Sequence, residues 1–292
     1  MSFAIITDST ANLLPEQVAA EQIGILPLEL TVDGELVDGA ESGSPEFLSG
    51  FYQRMRQDAK VSTALVPLGT VDKVVRPLFE AGQDVLYIGF DSALSGTYAA
   101  ASVYIRDLAA AEFPKRRFIA IDSLAAAFGH GLLVMYACKL RAEGQDFDQV
   151  ASWVEAHRLN IAHWFTVDDL KYLQRGGRLS KGVQVVGTIL NIKPVLHVDD
   201  LGRLVPVSMA RGRRKSLRTI IDHFGDAAKQ PYERQMVTIS HGDCLADAEF
   251  VADQLRERFG VKDIHINVLD PVIGAHAGPG TFALFFYSAD AR

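Results

Sequence analysis

A chain of 292 residues, 48% apolar and 22% charged, is long enough for two domains of ordinary size, each with its own core, and reads as globular rather than disordered or fibrous. Its formal charge of −7 argues against a dedicated nucleic-acid binder, which needs a broad basic face to displace counterions from phosphates. Its two cysteines, Cys138 and Cys244, have neither metal-ligand nor redox spacing and read as free thiols in a reducing compartment.

The first apolar run, Phe3 to Ile6, is strand-like and leads into Asp8-Ser9. Nothing before it has the basic and long apolar segments of a secretory signal, so none is expected. Ile23 to Val37 holds two β-like runs around Asp33-Gly34, which predicts a hairpin, and Pro45 to Met55 predicts a helix capped by Ser44. Val61-Ser62-Thr63-Ala64 supplies two hydroxyls ahead of helical periodicity over Thr70 to Ala81. A second run, Val85 to Phe90, ends in Asp91-Ser92 and precedes a helix from Thr97 to Phe113 that Pro114 stops. A third, Phe118 to Ile121, ends in Asp122-Ser123, followed by helical patterns at Leu124 to Glu143 and Phe147 to His157. The nearly apolar stretch Leu124 to Leu140 is interrupted by Gly129-His130-Gly131 and Lys139 and falls short of the roughly 20 residues a spanning helix needs. It predicts a buried helix, no stable membrane insertion and a cytoplasmic protein.

Three apolar runs that each end in Asp-Ser and each precede a helix imply parallel strands. Their carboxyl ends would share one edge of a sheet, where open α/β folds place ligands. The pattern changes after His163: a short strand (Trp164 to Val167), two close helices (Asp169 to Leu173 and Lys181 to Leu190), and a strand pair flanking Asp199, Asp200, Leu201 and Gly202. A helix from Arg213 to Phe224, a strand from Met236 to Ser240, a helix from Leu245 to Phe259, and strands Asp263 to Val268 and Thr281 to Tyr287 complete it. The expected fold is α/β with two α/β domains, residues 1–160 with a mainly parallel sheet and residues 161–292, although no Pro/Gly/Ser-rich linker marks the boundary.

Several segments carry groups that chemistry could use. In Asp91-Ser92-Ala93-Leu94-Ser95-Gly96-Thr97-Tyr98 a strand gives way to a helix. There the free amides of the first turn and the Ser95 hydroxyl would meet a carboxylate or phosphate oxygen, with Gly96 allowing close approach; by itself the segment is better read as a serine that only caps its own helix. Gly274 to Thr281 reads as a tight glycine-rich turn holding His276, and such a histidine is commonly structural. Phe165 to Ser180 reads as a helix, a Gly176-Gly177 C-cap and a turn with two arginines. A hydrolase or acyltransferase would make Ser95 the nucleophile, His276 its base and Asp8 or Asp91 the orienting acid, but Ser95 lacks the G-x-S-x-G elbow. No phosphate-binding G-x-x-x-x-G-K-[ST] loop and no clustered metal-ligand spacing occurs, so neither a cofactor nor a metal is expected.

Six motifs in order carry a resemblance: ITDSTANL at 6–13, DSALSGTY at 91–98, DSLAAAFGHG at 122–131, FTVDDLKYLQRGGRLS at 165–180, IKPVLHVDDLGRL at 192–204 and GAHAGPGT at 274–281. Together they resemble the signature set of the DegV family over essentially the whole chain. The resemblance implies two α/β domains with a long-chain fatty acid between them, the acyl chain in an apolar tunnel, and no catalysis by the chain itself. It implies a carrier that presents the acid to a fatty-acid kinase for acyl-phosphate formation, within phospholipid metabolism. Carried over by residue, the carboxylate-binding hydroxyls fall on Thr63 and Ser95, with Gly96 as backbone support and His276 near the carboxyl end. The chain departs from the family after Thr63, where Ala64-Leu65-Val66-Pro67 replaces a polar continuation. The basic run Arg203, Arg211, Arg213, Arg214, Lys215 and Arg218, with no acidic residue from Leu201 through Ile221, fits a solvated helix face; the resemblance makes Arg211, Arg213 and Arg214 a docking patch for the kinase.

Overall fold

The structure is a computed structural model that describes residues 3–37, 43–179 and 191–292. Its first half runs β1 (Phe3–Asp8), α1 (Pro15–Glu21), β2 (Gly24–Leu26), β3 (Glu29–Val32), β4 (Glu35–Leu36), α2 (Pro45–Arg56), β5 (Val61–Ala64), α3 (Leu68–Glu80), β6 (Asp84–Gly89), α4 (Thr97–Glu112), β7 (Phe118–Asp122), α5 (Ala127–Ala142) and α6 (Phe147–His157). The second runs β8 (Ile161–Thr166), α7 (Lys171–Arg175), β9 (Ile192–Val198), β10 (Leu204–Arg211), α8 (Arg213–Ala227), β11 (Met236–His241), α9 (Leu245–Phe259), β12 (Asp263–Val268), α10 (Pro271–Ala277) and β13 (Phe282–Tyr287).

Strands β2, β1, β6 and β7 form a sheet in that order, every pair parallel. Every residue of β1 and β6 is buried, as expected when helices cover both faces. Alternation along the strands divides their side chains. Ile6, Val85 and Tyr87 join Val71, Val75 and Ile105 of α3 and α4 in one core, whereas Ile5, Leu86 and Ile88 face Phe128, Leu132 and Val150 of α5 and α6. A second sheet has the order β10-β9-β8-β13-β11-β12, antiparallel except for the parallel pair β11 and β12. One of its faces packs on Leu217, Phe224 and Leu255 of α8 and α9. From its other face Phe165, Leu196 and Phe285 enter the same core as Ile5 and Phe128. Helix α5 lies between the sheets, touching β1 on one side and β8, β11 and β13 on the other, which accounts for the apolar character of the Leu124 to Leu140 stretch. No described helix is long and apolar enough to cross a membrane.

Several expectations need correction. The predicted hairpin from Ile23 breaks at Pro27, which has no N–H to give a ladder. Its first part becomes β2 beside β1, and only β3 and β4 turn about Asp33-Gly34. The hydroxyl segment Val61 to Ala64 is strand β5, antiparallel to β3 with Thr63 opposite Leu30. Helix α5 begins at Ala127 rather than Leu124. Helix α7 begins at Lys171 rather than Asp169, since the Asp169 carboxylate accepts from the Lys171 N–H (2.9 Å) and so stands outside the helix. The glycine-rich turn from Gly274 starts as helix α10, with Pro271 in its first turn and the Asp270 carboxylate accepting from the Val272 N–H (2.9 Å). The helix expected at Lys181 to Leu190 lies outside the described residues.

Candidate functional site

The three Asp-Ser dipeptides meet at the carboxyl edge of the parallel sheet, where their carboxylates tie loops together. Asp8 accepts from the Phe90 N–H (2.8 Å) across to the end of β6 and from the Thr10 hydroxyl. Asp91 accepts from Ala93 N–H (2.8 Å), and Asp122 accepts from both Ser92 N–H (3.1 Å) and Leu124 N–H (3.2 Å). The repeated motif therefore builds a rigid rim, and its aspartates are occupied in doing so.

A cavity of about 300 Å³ opens beside this rim. The loops after β6 and β7 line one side through Phe90, Leu94 and Ala126, while β8, β9, β13 and α10 line the other through Phe165, Val198, Phe285 and Val272. Among its polar side chains, His163 and Thr281 already have partners. His163 Nε2 accepts from Ala126 N–H (3.2 Å) while Nδ1 lies 2.8 Å from the Ile161 carbonyl oxygen. Its burial, aided by the Arg292 charge, holds its pKa well below the usual value, so it is neutral. Thr281 donates to the Ala277 carbonyl (2.9 Å).

The remaining polar side chains of the wall are Thr63, Ser95, Arg178 and His276, and the Arg178 charge acts on His276. Thr63 Oγ1 lies 2.9 Å from His276 Nε2. Burial, and then the Arg178 charge, push the His276 pKa down to about 4, so the imidazole is neutral at physiological pH. Its Nδ1 faces Gly176, where any β-carbon would collide with the ring. Nδ1 has no hydrogen-bond partner among the described residues, so an Nε2–H tautomer donating to Thr63 leaves the Thr63 hydroxyl proton free for an anion. Arg178 reaches back through Nε to the Leu94 carbonyl (3.0 Å), placing a cation beside the loop that carries Ser95.

Ser95 lies in the loop after β6, and its Oγ accepts from the Thr97 N–H (3.2 Å) and lies 3.1 Å from Thr97 Oγ1. The first amide of α4 is therefore taken by Ser95 itself rather than held open for a ligand. Gly96 is the N-cap residue of α4 and is exposed. It is absent from the cavity wall, and a β-carbon there would stand 3.7 Å from Leu65. In the divergent segment, Ala64 and Leu65 line the cavity, Leu65 remaining 46% exposed, whereas Val66 is buried in the α3/α4 core. The apolar change thus places a leucine at the mouth and a valine in packing.

The structure brings Thr63, Ser95 and His276 to one cavity, and adds Arg178, to which the sequence assigned no role. A cation just past a Gly-Gly helix end is its one local signal. The triad is not assembled: Ser95 bonds to Thr97, His276 bonds to Thr63, and Asp8 and Asp91 cap loops. Of the basic run, Arg213 is committed within the fold, with Nε 2.8 Å from Asp247 and only 19% of its side chain exposed. Arg211 and Arg214 are exposed, and the Arg214 guanidinium lies 3.9 Å from the centroid of the Phe250 ring. No group of three or more described His, Cys, Asp or Glu residues is disposed to hold a metal ion.

Comparison with known proteins places this geometry in context. The family described as "Uncharacterised protein, DegV family" matches residues 2–289. A DegV domain-containing protein of Clostridium perfringens is 38% identical over 97% of both chains, and one of Lactococcus lactis is 33% identical over the full length of both. Among solved structures, a DegV family protein from Thermus thermophilus, described for its fatty-acid binding, superposes with a TM-score of 0.84 at 29% identity, covering 99% of this chain and 100% of that one. A DegV lipid-binding protein from Thermotoga maritima superposes with a TM-score of 0.85 at 25% identity over 100% of both.

Proposed function

The chain belongs to the DegV family, and from that membership we propose that it binds a long-chain fatty acid, its acyl chain along the apolar cavity walls and its ionised carboxylate at the end formed by Thr63 and Ser95. One observation carries the reading: the cavity wall is mainly apolar, and among its few polar side chains Thr63 and His276 are in contact while Ser95 and Arg178 line the same space, as a ligand with an apolar chain and an anionic head requires. The fatty-acid binding of the Thermus thermophilus relative supports it. About fifteen methylenes at roughly 0.8 kcal/mol each give a gross scale near 12 kcal/mol before association costs, so the tail dominates affinity and the hydroxyls set orientation. Arg178 supplies the compensating charge, and neutral His276 orients Thr63.

The chain acts as a carrier rather than an enzyme, handing the acid to a fatty-acid kinase that phosphorylates the carboxylate; the partly exposed head-group end, bordered by Leu65 and Ser95, leaves the reacting oxygen near the surface. Extraction of the purified, denatured protein followed by mass spectrometry should yield a stoichiometric long-chain fatty acid, and the protein alone should hydrolyse neither acyl esters nor ATP. Ester turnover that survives repurification and disappears in Ser95→Ala would replace the carrier with a hydrolase.

A further inference from the structure

The loop that presents Ser95 is held by a carboxyl group that the ligand site itself does not use. Asp91 opens the loop and is 0% exposed. Its Oδ1 accepts from Ala93 N–H (2.8 Å), and its main-chain carbonyl accepts from the N–H groups of Leu94 (3.1 Å) and Ser95 (3.0 Å). Its Oδ2 is buried and has no hydrogen-bond partner among the described residues. Leaving such an oxygen unpaired costs about 1 to 3 kcal/mol, so the surroundings must over-determine its place.

The surroundings come from both halves of the chain. Asp122, at the end of β7, fastens the Ser92 N–H, and Arg178 fastens the Leu94 carbonyl. Between β9 and β10 the turn at Gly202 closes directly over Asp91; the residue has φ +78° and a β-carbon there would collide with both carboxyl oxygens. Only glycine permits that approach at that backbone angle. The Arg292 guanidinium contributes its charge, with Nε and Nη1 likewise buried and without hydrogen-bond partners among the described residues. The buried carboxyl is therefore wedged between its own loop and a turn of the second half, four positions before the serine proposed to meet the ligand.

We propose that Asp91 is a positioning residue for the head-group end of the cavity, its buried carboxyl setting the loop so that Ser95 reaches the ligand carboxylate and the Gly202 turn holding that carboxyl in place. The proposal rests on the fatty-acid reading above and extends it to a residue that touches no ligand.

A double-mutant cycle separates positioning from general support of the fold. Palmitate and hexadecanol are titrated onto the delipidated wild type, D91A, D91N, S95A and D91A/S95A. D91A should weaken palmitate binding about tenfold and hexadecanol binding by less than about threefold, in line with loss of one hydrogen bond to a charged group. The palmitate loss should vanish when Ser95 is already alanine. D91N keeps an oxygen for the Ala93 amide and the volume under Gly202, and should stay within about threefold of the wild type. A D91A loss that persists in full in the S95A background overturns the proposal, because Asp91 would then act elsewhere than through Ser95. Should D91A not fold, amide hydrogen exchange in G202A decides: the Leu94 and Ser95 amides should exchange faster while those of β6 keep their protection, and unchanged exchange overturns the proposal. A wild type that takes up neither ligand overturns the fatty-acid reading itself, a result distinct from an additive cycle.

Discussion

Thr63 and Ser95 line the same cavity from unlike supports. Thr63 sits on strand β5 and is paired with His276, whereas Ser95 sits on a loop and is paired with Thr97. A hydrogen bond to a charged group contributes about 1.5 to 3 kcal/mol, so T63A and S95A should each weaken fatty-acid binding roughly ten- to a hundredfold. On the proposed reading both touch one carboxylate, so the double variant should fall short of the product. A fatty alcohol of equal length should be far less sensitive to either change; equal losses for acid and alcohol, measured by calorimetry, would show that the residues shape the protein rather than grip the anion. Asp91 gives a second test at this scale. Burial above all raises its pKa from 3.8 to about 7, with Asp122 and Asp199 adding to the rise and the Ala93 amide and Arg292 opposing it. Between those two values the folded state binds more protons than the unfolded one, so the group's contribution to stability falls as pH rises from about 4 to about 7 and then levels. D91N cannot ionise, so its melting temperature relative to the wild type should climb across that window and plateau above it. A difference that stays constant with pH would exclude a titrating Asp91.

The basic run across the end of β10 and the start of α8 shows how an apparent charge run divides once folded. Arg213 is spent on Asp247, while Arg211 and Arg214 remain at the surface. Reversing Arg211 and Arg214 to glutamate should weaken coupling to a fatty-acid kinase at low ionic strength, leave fatty-acid binding intact and lose its effect as salt is added. R213E should instead lower the melting temperature, because it buries like charges beside Asp247 and Asp168; normal kinase coupling in the R211E/R214E variant would reduce the patch to a solvated face. Most elements were legible because their periodicity is strong: α6 at Phe147–His157, α9 at Leu245–Phe259 and β12 at Asp263–Val268 begin and end where the pattern does. The failures have local causes. Helix α10 is seven residues long and rich in glycine and alanine, so it has too little apolar spacing to show a helical period. Strand β2 has three residues, and its partner is chosen by the sheet rather than by Asp33-Gly34. In the site, Ser95 was legible from the strand-to-helix junction, but the pairing of Thr63 with His276 spans 213 positions and follows from no local pattern. Family resemblance supplied those two residues, and it passed over Arg178, whose place depends on how α7 packs.

Across the whole molecule, the core containing Ile5, Phe128 and Phe285 draws from both sheets, with α5 shared between them. Such sharing predicts cooperative unfolding in one transition. The two tryptophans, Trp153 on α6 and Trp164 on β8, report from the two halves; fluorescence of single-tryptophan variants should follow the same thermal curve as circular dichroism, and separate midpoints would show that the halves melt independently. The cavity gives this shared core a further property. It is packing volume that the polypeptide does not fill, so the proposed ligand would complete the interior and bind only the folded chain. At a free concentration one hundred times the dissociation constant it would add about 2.7 kcal/mol to stability by mass action. In a cell, where partly unfolded chains are continually removed by proteases, the amount of the protein would then rise and fall with the supply of its proposed ligand.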